Sequence, residues 1–188
     1  MKATLAVTGL VLIGLVVGWY YLAMKKPEVA QPTGGQVTTE KYESGTHGVS
    51  FSYPSTYAVE ERDLEINGTN GHFITLMRKA DVVPANGEGG TAMTVAIFNN
   101  RQNVPLADFL QNLKSLTPEP TTGWDYTEAS VAGKEGIAYS GTGLYESDNV
   151  AVAGTGKVYL FSTSWLTRED QILKDFDALL KSVQLTNE

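Results

Sequence analysis

The sequence predicts an α+β domain, an α/β/α sandwich around an antiparallel sheet, preceded by one N-terminal transmembrane helix. Three observations predict it: an uncharged apolar run near the N-terminus, strand-like segments separated by short turns, and two segments with helical apolar stripes. Consecutive strands joined by short turns favour antiparallel pairing. Some strands, such as the segment Val158–Phe161, carry apolar residues at both odd and even positions, which point to opposite faces of the sheet. We therefore expect both sheet faces to be covered.

The first predicted element is the run Thr4–Met24, which contains 21 residues and no charge. As a helix it would measure about 31 Å, close to the thickness of a bilayer's hydrocarbon core. Trp19, Tyr20 and Tyr21 lie at its far end, where aromatic residues favour the membrane interface, and Pro27 stops the helix. Residues 1–26 are therefore expected to be an uncleaved signal-anchor in a single-pass membrane protein.

Two alternatives to the anchor remain open. A cleaved signal peptide would have a shorter apolar region and a small-x-small site, whereas 21–23 reads Tyr-Leu-Ala, with a bulky residue where a small one is needed. A pilin-type stalk would need an early acidic residue and a helix continuing past Pro27. Lys2 and the amino terminus nearly balance Lys25 and Lys26, so charge alone does not set orientation. An N-terminal anchor followed by a whole domain usually places that domain outside, and we expect an extracytoplasmic domain.

The charge balance limits the classes of partner. The 188 residues carry a formal net charge of −7, and removing Lys2, Lys25 and Lys26 leaves 11 basic and 21 acidic residues in 27–188. Such an acidic domain repels nucleic acid, so we expect no nucleic-acid partner and favour cations, neutral ligands or basic protein surfaces. The chain contains no cysteine, which excludes disulfides, thiolate metal sites and a lipid-bearing cysteine.

The rest of the chain reads as a flexible linker over 27–45 and a domain over 46–188. The linker is inferred from prolines and glycines among small polar residues. Asn67-Gly68 and Asn70-Gly71 are strong turn signals. Alternation and turn residues predict eight strands: Val49–Tyr53, Tyr57–Ile66, His72–Lys79, Ala92–Phe98, Tyr126–Val131, Gly136–Gly143, Leu144–Ala153 and Lys157–Trp165.

Two helices are predicted from apolar stripes with helical spacing. The first follows Pro105, a residue suited to a first turn, and its stripe is Leu106, Phe109, Leu110 and Leu113. The second is expected to be capped by Thr167, with Asp170 three positions later. Its apolar face comprises Ile172, Leu173, Phe176, Leu179, Leu180 and Val183.

Three segments resemble the PsbP-like family. They are the opening Gly48–Pro54 (Gly-Val-Ser-Phe-Ser-Tyr-Pro), the turn Val131–Gly136 (Val-Ala-Gly-Lys-Glu-Gly) and the terminal helix Phe176–Val183, and the similarity covers about residues 45–186. The resemblance implies an α/β/α sandwich and an extracytoplasmic, often membrane-tethered, bacterial accessory or binding protein. These motifs are structural, and no catalytic residue is carried over from the family.

A cation site is the first chemistry that the sequence suggests. His47 and His72 open two predicted strands and would meet if those strands share a sheet end, and Glu61, Asp63 and Glu65 alternate along one strand face. Three carboxylates could bind Ca²⁺, and two histidines with a carboxylate could bind zinc. We favour the simpler interpretation, in which the histidines are separate and the carboxylates form the solvated face of an edge strand. We therefore expect no metal and no cofactor.

Aromatic residues suggest a binding surface in the C-terminal half. Tyrosine and tryptophan are enriched at binding surfaces, although core packing explains them equally simply and is the interpretation we favour. The candidates are Trp124, Tyr126, Tyr139, Tyr145 and Trp165.

The sequence contains no phosphate loop or nucleophile elbow, and two histidines leave little room for a catalytic triad. We therefore expect a membrane-anchored extracytoplasmic binding or accessory domain without catalytic activity. It would contact the membrane through Thr4–Met24 and meet an envelope protein partner. The alternatives are a cation-dependent hydrolase that uses His47 or His72 with nearby carboxylates, and a passive envelope protein without a specific ligand.

Overall fold

The computed structural model describes residues 38–81, 90–113 and 126–186. Two antiparallel sheets organise them, one of three strands and one of seven. The small sheet has the order β1-β2-β10 and the large sheet the order β3-β4-β5-β9-β8-β7-β6. The strands are β1 Thr39–Ser44, β2 Val49–Pro54, β3 Tyr57–Ile66, β4 Thr69–Arg78, β5 Ala92–Asn99, β6 Thr127–Val131, β7 Lys134–Gly141, β8 Glu146–Gly154, β9 Lys157–Trp165 and β10 Gln184–Leu185.

Two helices pack on opposite faces of the large sheet. Helix α1 is Leu106–Asn112 and helix α2 is Gln171–Ser182. Apolar side chains of α2 share a core with β2 and with the side chains on one face of the large sheet, including Phe51, Ile74 and Phe161. Residues of α1 share a second core with the side chains on the opposite face of the large sheet, including Phe98 and Leu160. The prediction of an α+β domain with an antiparallel sheet is confirmed.

The predicted linker 27–45 is wrong over its final residues, because Thr39–Ser44 forms β1. This strand pairs with β2 throughout, from Thr39 opposite Pro54 to Ser44 opposite Val49. Its sequence is mostly polar and its side chains are exposed or half-buried, so no apolar alternation marks it as a strand. Pairing with the apolar β2 supplies the stabilisation that β1 lacks locally.

Only one of the two predicted Asn-Gly turns between β3 and β4 is used. Asn67 and Gly68 adopt positive φ angles of 50° and 77°, which suit a tight two-residue hairpin. Asn70 and Gly71 instead lie within β4, which begins at Thr69. A Cβ on Gly71 would lie 2.5 Å from the ring of Phe98, so glycine is needed there for packing rather than for a turn.

The predicted cap of the final helix is also wrong. Helix α2 begins one residue after Asp170, not after Thr167. The Asp170 carboxylate turns back and accepts hydrogen bonds from the Leu166 and Thr167 amides, at 2.8 and 3.1 Å. These backbone donors lower the pKa of Asp170. The apolar face of the helix is confirmed, with Ile172, Phe176 and Leu179 buried.

Within the described residues, no helix combines the length and the apolar character needed to cross a bilayer. The proposed anchor Thr4–Met24 and the candidate aromatic Trp124 lie outside these residues.

Candidate functional site

The turn between β1 and β2 carries His47 over one end of the large sheet. The Tyr159 hydroxyl donates a hydrogen bond to the His47 carbonyl at 3.0 Å. The Lys157 ammonium donates to the same carbonyl and to that of Thr46, both at 3.3 Å. Gly48 follows with a φ of 67°, and a Cβ there would lie 3.0 Å from the Thr186 carbonyl. The turn is therefore held on the large sheet by two side chains of β9.

His72 lies beneath this turn and is held by two carboxylates. It is directly opposite Asp63 in the β3–β4 pairing, and its Nδ1 lies 2.8 Å from Asp63 Oδ1. Its Nε2 lies 3.1 Å from Glu61 Oε2. Because an ionised carboxylate only accepts hydrogen bonds, this geometry suits a His72 ring with a proton on both nitrogens. The Asp63 side chain is 86% exposed and that of Glu61 is 49% exposed, whereas only 13% of the His72 side chain is exposed.

The imidazole rings of His47 and His72 stack face to face. Their centroids are 3.9 Å apart and their planes differ by 10°. The simpler sequence interpretation, which kept the two histidines separate, is therefore wrong. The stack connects the small sheet to the large one, because His47 comes from the β1–β2 turn and His72 from β4.

Electrostatics favour a neutral His47. Partial burial lowers its pKa below the ordinary value of 6.5, and the positive charges on His72 and Lys157 lower it further. The carboxylates of Asp63 and Glu61 oppose this with a smaller effect. A neutral imidazole over a doubly protonated one is an attractive arrangement, whereas two imidazolium rings at this distance would repel each other.

Glu61 connects the histidines to the small sheet. The Tyr42 hydroxyl, on β1, donates a hydrogen bond of 3.0 Å to the carboxylate oxygen that faces His72. Burial and this carboxylate raise the pKa of Tyr42 to about 12, so the phenol keeps its proton at neutral pH. A chain of contacts therefore runs from β1 through Glu61 and His72 to the β1–β2 turn.

A cleft of about 340 Å³ opens beside the two histidines. Asp63 and Glu65 contribute carboxylates to its lining, Asn70 and Asn99 contribute amides, and Lys157 contributes an ammonium group. Among the described residues, no three His, Asp or Glu side chains are grouped so that they could hold a metal ion. Of the candidate cation ligands, the structure joins His47, His72, Glu61 and Asp63 through direct contacts and places Glu65 on the cleft wall. The cleft can offer hydrogen bonds and charge to a polar ligand or a partner's side chain.

The predicted aromatic surface is not one surface. Tyr139 and Trp165 are buried, the first in the core under α1 and the second in the core under α2. Tyr126 packs edge-on against Tyr139, with ring centroids 5.9 Å apart. Tyr145 is half-buried before β8. These residues therefore contribute mainly to packing.

Sequence reasoning missed a buried tyrosine that joins three elements. The Tyr57 hydroxyl donates to Asp175 of α2 at 2.7 Å and accepts from Arg78 Nε at 3.2 Å. Tyr57 is 1% exposed, and burial together with Asp175 raises its pKa. No local pattern identifies the pair Tyr57–Asp175, because 118 positions separate them.

Comparison with known proteins identifies the fold. The solution structure of cyanobacterial PsbP (CyanoP) from Synechocystis sp. PCC 6803 superposes with a TM-score of 0.56 and 14% sequence identity, covering 86% of this chain and all of that one. This domain has the PsbP-like fold. A crystal structure from Bacteroides thetaiotaomicron gives a TM-score of 0.48 and 9% identity, covering 79% of this chain and 49% of that one. No protein-family model and no curated protein sequence matches the chain.

Proposed function

We propose that this protein is a membrane-tethered, extracytoplasmic accessory domain that binds a partner through the histidine cleft and does not catalyse a reaction. The observation that carries this proposal is the arrangement of the two histidines. His72 contacts a carboxylate at each ring nitrogen, and His47 is stacked on its face. The PsbP-like fold supports the proposal, because the sequence resemblance to that family implies accessory and binding roles.

The bonding of His72 argues for a structural rather than a chemical role. A general base needs a ring nitrogen with an available lone pair, and a ring that donates to Asp63 and Glu61 has none. The lowered pKa of His47 keeps its ring mostly neutral near pH 7, so the protonated form that a general acid needs is scarce. The geometry is suited to positioning the β1–β2 turn beside the cleft.

The charges around the cleft favour a basic partner surface. Glu60, Glu61, Asp63 and Glu65 are all exposed along the edge strand β3, with Arg62 among them. Carboxylates spaced along one strand offer successive contacts to lysine or arginine side chains and raise the association rate of a basic partner. Lys157 lies on the other side of the cleft and limits how far such a side chain can enter.

The tether and the location of the domain are proposed from the sequence. The apolar run Thr4–Met24 has the length of a membrane span, and 13 residues separate it from Thr38, where the described domain begins. A tether of that length would hold the domain at the membrane and present its cleft at a high effective concentration to an envelope partner.

Protease treatment of intact and lysed cells tests the location. If the domain is extracytoplasmic, protease added to intact cells cuts before Thr38 and releases a stable fragment that contains the paired strands. Protection until lysis would place the domain in the cytoplasm and contradict the proposal.

Site-specific crosslinking tests the binding role. A photoreactive residue at Glu65, on the cleft wall, is expected to crosslink one envelope protein, and Asp63→Asn combined with Glu61→Gln should weaken that product several-fold. A photoreactive residue at Ala132, exposed in the β6–β7 turn, is the matched control. Equal products from both positions, or none from Glu65, would contradict binding at the cleft.

A further inference from the structure

Two leucines at one end of the large sheet are exposed to an unusual degree. Leu144 is 72% exposed and Leu166 is 65% exposed, whereas Leu64, the remaining large apolar side chain exposed among the described residues, is 37% exposed. Both lie at the same end of two paired strands, because Glu146 at the start of β8 pairs with Trp165 at the end of β9, and Leu144 precedes β8 while Leu166 follows β9. They therefore project from neighbouring strand ends.

An exposed arginine lies beside the leucines, over a buried tryptophan. Trp165 lies directly before Leu166, and its Nε1 has no hydrogen-bond partner among the described residues. The Arg168 guanidinium lies 4.0 Å from the centre of the Trp165 ring and pairs with Asp148 at 2.7 Å. The exposed leucines suit the hydrocarbon side of a membrane boundary and the exposed Arg168 suits its head groups, whereas Trp165 is buried and holds Arg168 in place from below.

The strand pairings show where the preceding chain enters the domain. Thr38 bonds to Ser55 through its carbonyl and its hydroxyl, both at 2.8 Å. Ser55 leads into Tyr57, which pairs with Arg78, and this sheet end continues through Ala92 to Trp165. Thr38, the first described residue, therefore lies at the end of the sheet that carries the two leucines.

The acidic residues of the cleft lie towards the opposite end of the sheet. That end comprises the β3–β4 hairpin, the start of β9 and the β1–β2 turn that holds His47. The leucine end carries charges of both signs, with Lys79, Arg168, Asp81 and Glu169 exposed and Glu146, Asp148 and Asp170 half-buried.

We propose that the end of the sheet bearing Leu144 and Leu166 rests on the lipid bilayer and directs the histidine cleft away from it. This inference rests on the proposed tether. At most about 50 Å of extended chain separates Met24 from Thr38, so the leucines would meet the bilayer at a high effective concentration. Two leucines bind a membrane weakly by themselves, and the tether makes so small an apolar patch sufficient.

Spin labelling tests this orientation directly, because the chain has no cysteine of its own. The full chain would carry Leu144→Cys or Leu166→Cys, each nitroxide-labelled and reconstituted in phosphatidylcholine vesicles. The control is Thr155→Cys, exposed in the β8–β9 turn at the opposite end. For each nitroxide, the measured quantity is the ratio of its accessibility to oxygen and its accessibility to a water-soluble nickel complex. We expect this ratio to be several-fold higher at the two leucine positions than at position 155.

The possible outcomes separate this inference from the tether. If the chain co-floats with the vesicles and the three labels are equally accessible, the tether stands and the proposed orientation is wrong. A protein partner would then be the alternative that covers the two leucines. A chain that does not co-float would overturn the tether and the orientation together. Circular dichroism of each labelled variant confirms that the fold is retained.

Discussion

The imidazoles of His47 and His72 stack 3.9 Å apart and join two sheets that share no strand. His47 belongs to the turn of the small sheet, and His72 belongs to the second strand of the large one. The carboxylates of Asp63 and Glu61 hold His72 from the side, and Lys157 and Tyr159 hold the His47 backbone. Stacking, hydrogen bonds and charge all act at this one junction, so its stability should depend on pH.

We expect acid to weaken this junction through His47. Its pKa in the folded protein is below the unfolded value of 6.5, so the unfolded state binds more protons when the pH falls below about 6.5. The stabilisation is complete above that pH and is lost as the pH falls through the folded pKa of His47. Thermal unfolding of the detergent-solubilised chain, measured between about pH 7.5 and pH 5, should show this loss.

The His47→Gln variant provides the control for the acid effect. It removes the titrating ring, so its unfolding temperature should vary less with pH over the same range. The sequence has only two histidines, so NMR can follow both rings and show which titrates at the lower pH. An unfolding profile with the same pH slope in the variant and in the original chain would contradict a role for His47.

The Tyr159→Phe variant tests how firmly the β1–β2 turn is held. It removes the hydroxyl that donates to the His47 carbonyl at 3.0 Å. Lys157 still donates to this carbonyl, so the acceptor is not left unsatisfied, and we expect a loss of about 1 kcal/mol in the free energy of unfolding. Chemical denaturation measures it. No change in stability, with unchanged NMR shifts for His47, would show that the hydroxyl does not hold the turn.

Most of the large sheet could be predicted from the sequence because its signals are local. Alternating apolar residues and tight turns define strands such as Tyr57–Ile66 and Lys157–Trp165, whose predicted bounds match the structure. The apolar stripe of α2 is equally local. Strand β1 escaped prediction because its sequence, Thr-Glu-Lys-Tyr-Glu-Ser, becomes a strand only through pairing with β2.

The individual residues of the site could be predicted from the sequence, but their contacts in three dimensions could not. The spacing of Glu61, Asp63 and Glu65 indicates a common strand face, and the hairpin then places Asp63 opposite His72. The stack with His47 depends on how the small sheet folds over the large one, which no sequence pattern encodes. The same reason explains why Tyr139 and Trp165 were candidates for a surface, since an aromatic side chain suits a core equally well.

The Gly71→Ala variant tests the packing between β4 and β5. The added methyl group would lie 2.5 Å from one ring atom of Phe98 and 2.9 Å from the ring of Phe73, and both rings are buried. We expect a destabilisation of about 2 kcal/mol, measured by chemical denaturation. Gly45→Ala is the matched control, because a Cβ there meets nothing within 4 Å, and it should change stability by less than about 0.5 kcal/mol. Similar effects from both variants would show that crowding at Phe98 is not the cause.

The Tyr57→Phe variant tests the junction between the large sheet and α2. It removes a part-buried hydroxyl that is bonded to both Asp175 and Arg78, so Arg78 Nε loses its acceptor and Asp175 keeps, among the described residues, only the hydrogen bond from Gln171. We expect a loss of about 2 kcal/mol in the free energy of unfolding. Tyr53→Phe is the control, because its hydroxyl donates at 3.0 Å to Glu40, which is exposed to solvent, and its loss should cost at most about 0.5 kcal/mol. If the two variants lose equal stability, the burial of Tyr57 does not make its hydrogen bonds more stabilising than the one that Tyr53 makes to the exposed Glu40.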